Sequence, residues 1–246
     1  MSTTFGVMVD RDALMRAAAE RVVAWANEAI GRRGRFDWVL AGGSTPEQLY
    51  RLLAGPDYAL KVDWSRVSFF FGDERCVPPD DPQSNYRMAQ ASLLGPLGVS
   101  PERIHRMPGE LGPERAAERY QAELERCLAP AAGAVPAVDL VLLGMGADGH
   151  TASLFPGTRP LDEARRWVVG SHPDGLVARV TLTLPLINAA RRVLFLVAGA
   201  DKARAAREVL AGTAPVPLPA GRVRPLAGDA EWLLDAAAAA LLGGGP

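Results

Sequence analysis

A buried strand, a glycine turn and a helix start follow one another in a single stretch, FDWVLAGGSTPEQ at residues 36–48. Its first residues, Phe36–Ala41, form a short apolar run, which is typical of a parallel strand buried on both faces. Two glycines end the run. Ser44 then offers an N-cap, Pro46 suits the first turn of a helix, and Gln48 completes a T-x-x-Q capping box. The stretch therefore predicts the strand-turn-helix unit of an α/β fold.

The alternation of strand and helix recurs through the rest of the chain. Further strands are predicted at Val67–Phe71, Val138–Leu143, Val180–Leu184 and Val193–Val197, and helices at Asp12–Ile30, Asn85–Leu94, Pro113–Leu128 and from Lys202 to about Ala211. A closing element is expected at 231–242 and a frayed tail at 243–246. Because near-continuous apolar strands alternate with helices, we predict a three-layer α/β/α Rossmann-like fold with a mainly parallel sheet, built as a single domain over residues 1–246.

Composition excludes several classes of protein. The chain has 246 residues, 48% of them hydrophobic and 22% charged, and its formal net charge of -1 offers no basic footprint for nucleic acid. No apolar run approaches the ~18 residues of a membrane span, and residues 1–10 lack the pattern of a signal peptide. Cys76 and Cys127 have no metal-like spacing, so neither a disulfide framework nor a zinc site is predicted. We expect a soluble cytoplasmic protein, a monomer or at most a weak homodimer, without nucleic-acid or membrane partners.

Four loops at predicted strand ends carry most of the polar residues of interest, which is where open parallel sheets bind ligands. The first loop contains Gly42, Gly43, Ser44 and Thr45. Its glycines let a ligand approach the backbone, and the N–H groups of the helix start, with two hydroxyls, suit a phosphate. A tight turn with a good N-cap explains the same residues without a ligand, so this loop alone leaves both interpretations open.

The second loop places Asp73, Glu74 and Arg75 directly after the strand that ends at Phe71. Charges at a buried strand end need partners, so the three residues predict a substrate-binding group or, as the alternative, a surface ion-pair cluster. Cys76 follows Arg75, but no sequence signature supports an activated thiol there.

The third loop is a glycine-rich turn that presents an aspartate and a histidine. GMGADG at residues 144–149 matches the G-x-G-x-x-G fingerprint of dinucleotide-binding proteins. Three features oppose that interpretation. The unit comes late in the chain, and Asp148 would direct a negative charge toward a pyrophosphate. The acidic residue expected about twenty positions later, at the end of a following strand, is also missing. We favour a turn that exposes His150 for proton transfer, with Asp148 available to fix its tautomer.

The fourth loop begins at Gly199 and contains Lys202, at the start of a predicted helix. The chain uses arginine almost everywhere and has only two lysines, so a lysine at this position indicates a compact charge for a phosphate. Arg179, before the strand that begins at Val180, either joins this site or is a surface charge. His105 and His172 lack such surroundings and are expected to be structural.

Taken in order, these loops resemble the family of 6-phosphogluconolactonases and glucosamine-6-phosphate deaminases, on its lactonase side. The resemblance covers almost the whole chain, and ADGHTASLFP is its most specific string. The matching segments are LAGGSTPEQLY at 40–50, FFGDERCVPPDDPQSNYRM at 70–88, IHRMPGE at 104–110, DLVLLGMGADGHTASLFPG at 139–157, RVTLTLPLINAARRVLFLVAGADKA at 179–203 and RVRPLAGDAEWLLD at 222–235.

The resemblance implies hydrolysis of 6-phosphoglucono-1,5-lactone to 6-phosphogluconate, in the oxidative pentose phosphate pathway, without a metal or organic cofactor. It implies that His150 is the catalytic residue and Asp148 its partner. It also implies a substrate-binding set that holds the phosphate and the sugar: Gly42, Gly43, Ser44, Thr45, Asp73, Arg75, Arg179 and Lys202.

Two alternatives remain. Deaminases of the family continue after Asp-Gly-His with Ile-Ala-Phe-Asn-Glu, whereas residues 151–155 here are TASLF and contain no acid, which favours the lactonase. A non-catalytic sugar-phosphate sensor would need the phosphate loop but not Asp148 and His150. No DNA-binding helix pair or basic patch supports such a sensor.

Overall fold

The computed structural model describes residues 3–131 and 133–243, with only the backbone of Thr3. Nine strands lie in the described ranges: β1 Thr3–Met8, β2 Phe36–Leu40, β3 Val67–Phe71, β4 Asp73–Arg75, β5 Leu140–Leu143, β6 Val168–Ser171, β7 Arg179–Leu182, β8 Arg192–Val197 and β9 Asp229–Asp235. Six α-helices accompany them: α1 Arg11–Arg33, α2 Ser44–Leu53, α3 Asn85–Ala89, α4 Pro113–Leu128, α5 Leu184–Ala189 and α6 Ala203–Leu210. None of these helices combines the length and the apolar character that crossing a bilayer requires.

Six strands form one sheet in the order β1-β9-β8-β5-β2-β3, and every pairing within it is parallel. The predicted α/β fold with a mainly parallel, Rossmann-like sheet is thereby confirmed. All residues of β2, β3 and β5 are buried, which explains their apolar sequences. The chain leaves β2 toward β3 on one side, whereas β5 and β8 extend the sheet on the other. The carboxyl ends of β2 and β5 therefore flank the topological switch point, where such sheets bind ligands.

Aromatic side chains fill the core between the sheet and α2. The indole of Trp38 on β2 lies 5.9 Å from the Tyr50 ring and 5.8 Å from the Phe69 ring. The Tyr50 hydroxyl accepts from the backbone N–H of Ala41 and donates to its carbonyl, both at 2.9 Å. These two hydrogen bonds fix the end of β2 to α2, so the loop between them has a fixed course.

A second, antiparallel sheet of three strands, β4-β7-β6, adjoins the parallel one. Gly72 connects the two sheets: its N–H donates to the carbonyl of Leu40, and its carbonyl accepts from the N–H of Leu182. The strand predicted at Val180–Leu184, among those expected to form the mainly parallel sheet, corresponds to β7, which pairs antiparallel with both of its neighbours. A short strand of apolar residues has the same appearance in either sheet, and only the pairing partner distinguishes them.

Several other elements differ from the prediction. The closing element expected at 231–242 contains β9, an interior strand between β8 and β1, whose DAEWLLD sequence lacks a clear period. The edge strand β1 and the short β6 were not predicted. The helix expected at Asn85–Leu94 is a short α3 that continues as a π-helical turn, and α6 begins only at Ala203, after a 3₁₀ turn. Of the tail expected at 243–246, residues 244–246 lie outside the described residues.

Candidate active site

A cavity of about 260 Å³ lies at the carboxyl ends of β2, β3, β5 and β8. It collects the four loops that the sequence singled out, although they are far apart in the chain. Nine of the ten predicted site residues line it: Gly42, Gly43, Ser44, Thr45, Asp73, Arg75, His150, Arg179 and Lys202. The tenth, Asp148, contacts the ring of His150.

The loop after β2 leads directly into the N-terminus of α2. Gly43 is the N-cap, with φ of 99°, a conformation that favours glycine, and no described side chain caps the helix. The predicted capping box is therefore wrong, because the helix starts at Ser44, two residues before Pro46, where the pattern required it to start. The first N–H groups of α2 consequently keep their hydrogen-bonding capacity toward the cavity, together with the positive end of the helix dipole.

Two residues that the sequence did not single out support this loop. A Cβ atom on Gly42 would overlap the side-chain amide of Asn85, so only glycine lets the loop pass. The guanidinium of Arg11, at the start of α1, donates to Oγ1 of Thr45 at 2.8 Å. Arg11 thus adds a positive charge beside the α2 N-terminus. Its position 34 residues before Thr45 gives no sequence signal of the contact.

Asp148 and His150 form a hydrogen-bonded pair at the tip of the loop after β5. Nδ1 of His150 lies 2.6 Å from Oδ1 of Asp148, which also accepts the backbone N–H of His150 at 3.1 Å. Partial burial raises the pKa of Asp148, but the two bonds from His150 outweigh it and hold that pKa below its usual value. An ionised Asp148 assigns the ring proton to Nδ1 and leaves Nε2 as an acceptor.

Local backbone contacts fix the turn that carries this pair. The N–H of Gly146 donates to the carbonyl of His150 at 2.8 Å, and the N–H of Gly149 donates to the carbonyl of Gly146 at 3.0 Å. Gly149 has φ of 79°, which favours glycine. On its other side the His150 ring packs on Phe155, with 4.4 Å between ring centroids. The imidazole is therefore held by a carboxylate, by its own backbone and by an aromatic ring.

Asp73 is buried in the wall of the cavity, and each of its carboxylate oxygens accepts a hydrogen bond. Its Oδ1 accepts from the Asn85 side chain at 3.1 Å, and its Oδ2 accepts from the hydroxyl of Ser153, which is also buried. The guanidinium of Arg179 lies 3.9 Å from the same Oδ2. These contacts connect the loops after β3 and β5 to β7, so Asp73 positions the neighbouring groups.

Arg75 and Arg179 lie directly opposite each other in the antiparallel β4–β7 pair. Like charges at such positions repel, and the Nε atoms of both guanidinium groups are buried without a partner among the described residues. Burial lowers the pKa of Arg179. Since both residues line the cavity, this unpartnered donor capacity is suited to an anionic ligand.

Glu74, between these charges in sequence, has a structural position. Successive side chains of a strand point to opposite sides, so Glu74 turns away from the cavity that Asp73 and Arg75 line. Its carboxylate accepts the N–H groups of Asn85 and Tyr86 and the hydroxyl of Ser84. Burial raises the pKa of Glu74 despite these bonds. It anchors the start of α3.

Lys202 reaches the cavity from the 3₁₀ turn that follows β8. Its Nζ lies 2.9 Å from Oδ2 of Asp201, and the side chain is largely buried. Cys76, by contrast, does not line the cavity, and burial raises the pKa of its thiol to about 11. Cys76 and Cys127 are both free thiols. His172 forms an exposed pair with Glu114, and His105 lies beside Glu123, so neither is at this site.

Comparison with known proteins identifies the class that this fold and site define. A family model described as glucosamine-6-phosphate isomerases/6-phosphogluconolactonase matches residues 9–232. The chain belongs to this family. A 6-phosphogluconolactonase from a Nostoc species is 41% identical over 244 residues, 98% of this chain and 99% of the relative.

Solved structures agree with this assignment. The 6-phosphogluconolactonase from Trypanosoma cruzi superimposes with a TM-score of 0.89 at 29% identity, covering 99% of this chain and 98% of the other. The 6-phosphogluconolactonase from Trypanosoma brucei gives 0.87 at 32% identity, covering 97% and 98%. The similarity therefore extends over the whole architecture, both sheets included.

Proposed function

We propose that the protein hydrolyses 6-phosphoglucono-1,5-lactone to 6-phosphogluconate, in the oxidative pentose phosphate pathway. The relatives described above carry the name of this activity and share nearly the full length of the chain. One observation carries the assignment within the site. His150, which is hydrogen-bonded to Asp148, and the N-terminus of α2 line the same cavity, so a proton-transfer group and a phosphate-binding group can act on one small molecule.

The phosphate end of the substrate binds at the start of α2. Backbone N–H groups and the hydroxyls of Ser44 and Thr45 donate to its oxygens, and the helix dipole adds a favourable field. Lys202 supplies a positive charge from the loop after β8. Arg11, which already bonds Thr45, contributes a further charge at longer range.

Water attack on the lactone is assisted by His150. Asp148 holds the Nδ1 proton, so Nε2 accepts a proton from water as the water oxygen bonds to C1 of the lactone. The tetrahedral intermediate then collapses with cleavage of the bond between C1 and the ring oxygen. The imidazolium returns its proton to that ring oxygen, which becomes a hydroxyl. The new carboxylic acid loses its remaining proton to solvent, and the product is released as the carboxylate. Water is the only co-reactant, and no electrons are transferred.

The negative charge that develops on the carbonyl oxygen needs a donor nearby. The N–H groups of Gly146 and Gly149 are already bonded within the turn, which directs this role to a guanidinium. Arg179 and His150 both contact the Phe155 ring, at 5.6 Å from the guanidinium carbon and 4.4 Å between ring centroids. For this reason we assign stabilisation of the oxyanion to Arg179, and a supporting contact with the substrate to Arg75.

The structure of the loop after His150 favours the lactonase over a deaminase. Phe155 occupies the fifth position after the Asp-Gly-His motif, where the deaminases of the family carry glutamate. Its ring packs on His150, so an apolar group takes the place of the additional carboxylate. Ring opening of an amino sugar by that carboxylate is therefore not supported.

The decisive experiment is a lactonase assay corrected for spontaneous opening, run beside an assay for deamination of glucosamine 6-phosphate. We expect lactone hydrolysis and no ammonia release. His150→Ala should lower turnover by roughly 10²–10⁴, the range of general acid-base groups, with an unchanged far-UV spectrum. A variant with near-normal turnover would remove His150 from the mechanism, and binding without turnover in the wild type would indicate a sugar-phosphate sensor.

We also propose that the chain acts as a single-domain monomer in the cytoplasm, without a metal or organic cofactor for the reaction. The steps above use only water and the backbone and side-chain groups of this chain. Light scattering during gel filtration tests the oligomeric state, and activity after exhaustive chelation tests the independence from metal.

A further inference from the structure

Three side chains outside the active site bring metal-binding atoms together. His105 lies on the extended segment that follows Pro101–Arg103 and runs parallel to β3, where its N–H donates to the carbonyl of Phe69 at 2.8 Å. Glu123 and Cys127 are four residues apart on α4 and so share one face of that helix. None of the three lines the cavity of the proposed active site.

The three ligand atoms form a compact triangle. Nδ1 of His105 lies 2.8 Å from Oε1 of Glu123 and 3.4 Å from Sγ of Cys127, and Sγ lies 3.3 Å from Oε1. Tetrahedral zinc with its usual bond lengths places sulfur about 3.6 Å from nitrogen and about 3.5 Å from oxygen, and nitrogen about 3.3 Å from oxygen. Two edges of the triangle thus already match, and the third must open by only about half an ångström.

The surrounding residues hold these ligands in place. The His105 ring stacks on Phe70, with 4.6 Å between centroids and 16° between planes, and only 10% of its side chain is exposed. Tyr120 donates its hydroxyl proton to the carbonyl of His105 at 3.1 Å. Arg126 donates to both carboxylate oxygens of Glu123, to Oε2 at 3.1 Å and to Oε1 at 2.6 Å. The bond to Oε2 can persist and orient the carboxylate when Oε1 binds a metal, whereas the bond to Oε1 must give way.

We propose that His105, Glu123 and Cys127 bind one zinc ion through Nδ1, Oε1 and the thiolate, with a water molecule as the fourth ligand. On binding, the Cys127 thiol releases its proton to solvent, and His105 carries its ring proton on Nε2. The thiolate and the carboxylate together neutralise the ion. The mixed nitrogen, oxygen and sulfur donors suit zinc better than magnesium or calcium, which prefer oxygen alone. The ion ties α4 to the segment beside β3, a structural role separate from the proposed reaction.

Cobalt(II) titration of the zinc-free full-length protein tests this site, because cobalt bound to a thiolate gives a charge-transfer band in the near ultraviolet. We expect one equivalent to produce the band and zinc to displace it. Cys127→Ser should abolish the band and weaken zinc binding by at least roughly tenfold. Cys76→Ser is the matched control and should retain both signals. Cobalt held at Asp148 and His150 gives no such band, since no cysteine lines that cavity.

A thermal readout makes the test independent of the spectrum. Zinc should raise the unfolding temperature of the wild type and of Cys76→Ser, but not that of Cys127→Ser or Glu123→Gln. Both substitutions are nearly isosteric, and circular dichroism reports whether they fold. Absence of the band at stoichiometric cobalt, or its persistence in Cys127→Ser, would show that the three residues are only a polar link between α4 and its neighbour.

Discussion

The backbone of Gly146 passes so close to His150 that a Cβ atom on Gly146 would overlap Nδ1 of the imidazole. The same Cβ would also crowd Oδ1 of Asp148, at 2.5 Å. Gly146, the second glycine of GMGADG, therefore makes room for a hydrogen-bonded pair of side chains. In a dinucleotide-binding loop, the same spacing would make room for a pyrophosphate.

Gly146→Ala should separate Asp148 from His150 and lower kcat by at least about 10², the lower limit for loss of a general base. Gly31→Ala is a suitable control, because a Cβ atom there meets no atom within 4 Å and Gly31 lies outside the cavity, and it should retain most of the kcat. Steady-state kinetics at saturating lactone distinguish the two. Equal losses in both variants would contradict the steric argument.

Asp148 should contribute to stability in a pH-dependent way. Its pKa in the folded protein is lowered, so its contribution is complete above the ordinary aspartate pKa of about 3.9 and is lost as the pH falls through the lower folded-state value. The difference in unfolding free energy between wild type and Asp148→Asn should therefore shrink below pH of about 4. Denaturant unfolding between pH 7 and pH 3 measures it. A difference that stays constant over this interval would argue against an ionised Asp148 bonded to His150.

Arg179→Met should lower kcat by about 10²–10³, as expected for loss of one oxyanion donor. Arg75→Met should mainly raise KM, because Arg75 is assigned a supporting contact with substrate. Separate determination of kcat and KM for the two variants checks this division. A lower kcat in Arg75→Met and a higher KM in Arg179→Met would instead assign stabilisation of the oxyanion to Arg75.

Lys202→Met should raise KM for the phosphorylated lactone by about tenfold or more, the effect of losing one charge-assisted contact of roughly 1.5–3 kcal/mol. Hydrolysis of unphosphorylated gluconolactone should be unaffected, because no phosphate is present to bind. Lys61→Met is a suitable control: it removes the other lysine, which lies over the Tyr58 ring outside the cavity. An equal loss with both lactones would show that Lys202 acts on the sugar ring.

Cys76→Ser should leave kcat and KM within about twofold of the wild type, since a thiol with a pKa near 11 supplies almost no thiolate nucleophile at neutral pH. Alkylation by iodoacetamide at pH 7 should accordingly be slow at this residue. Peptide mapping of the alkylated protein measures the rate. Rapid modification of Cys76 with loss of activity would reopen the thiol mechanism that the sequence did not favour.

Much of the fold was predictable from the apolar runs of the strands, the helical spacing of apolar residues and the residues typical of turns. The strand Phe36–Leu40 and the helix Pro113–Leu128 fall where their patterns indicated. The antiparallel sheet was missed because β4 consists of three charged residues, whose strand conformation depends on pairing with β7. Propensity contains no information about such a partner.

The sequence by itself determined the chemistry-bearing motifs, because glycine turns, helix starts and the Asp-Gly-His string are local and leave a local signal. Tertiary structure decided which of those residues meet. It aligned Arg75 with Arg179 across a strand pair, brought Arg11 to Thr45, and placed Ser153 on Asp73. The physical reason is that contacts between distant segments depend on strand order and register. No periodicity within a single segment encodes either property.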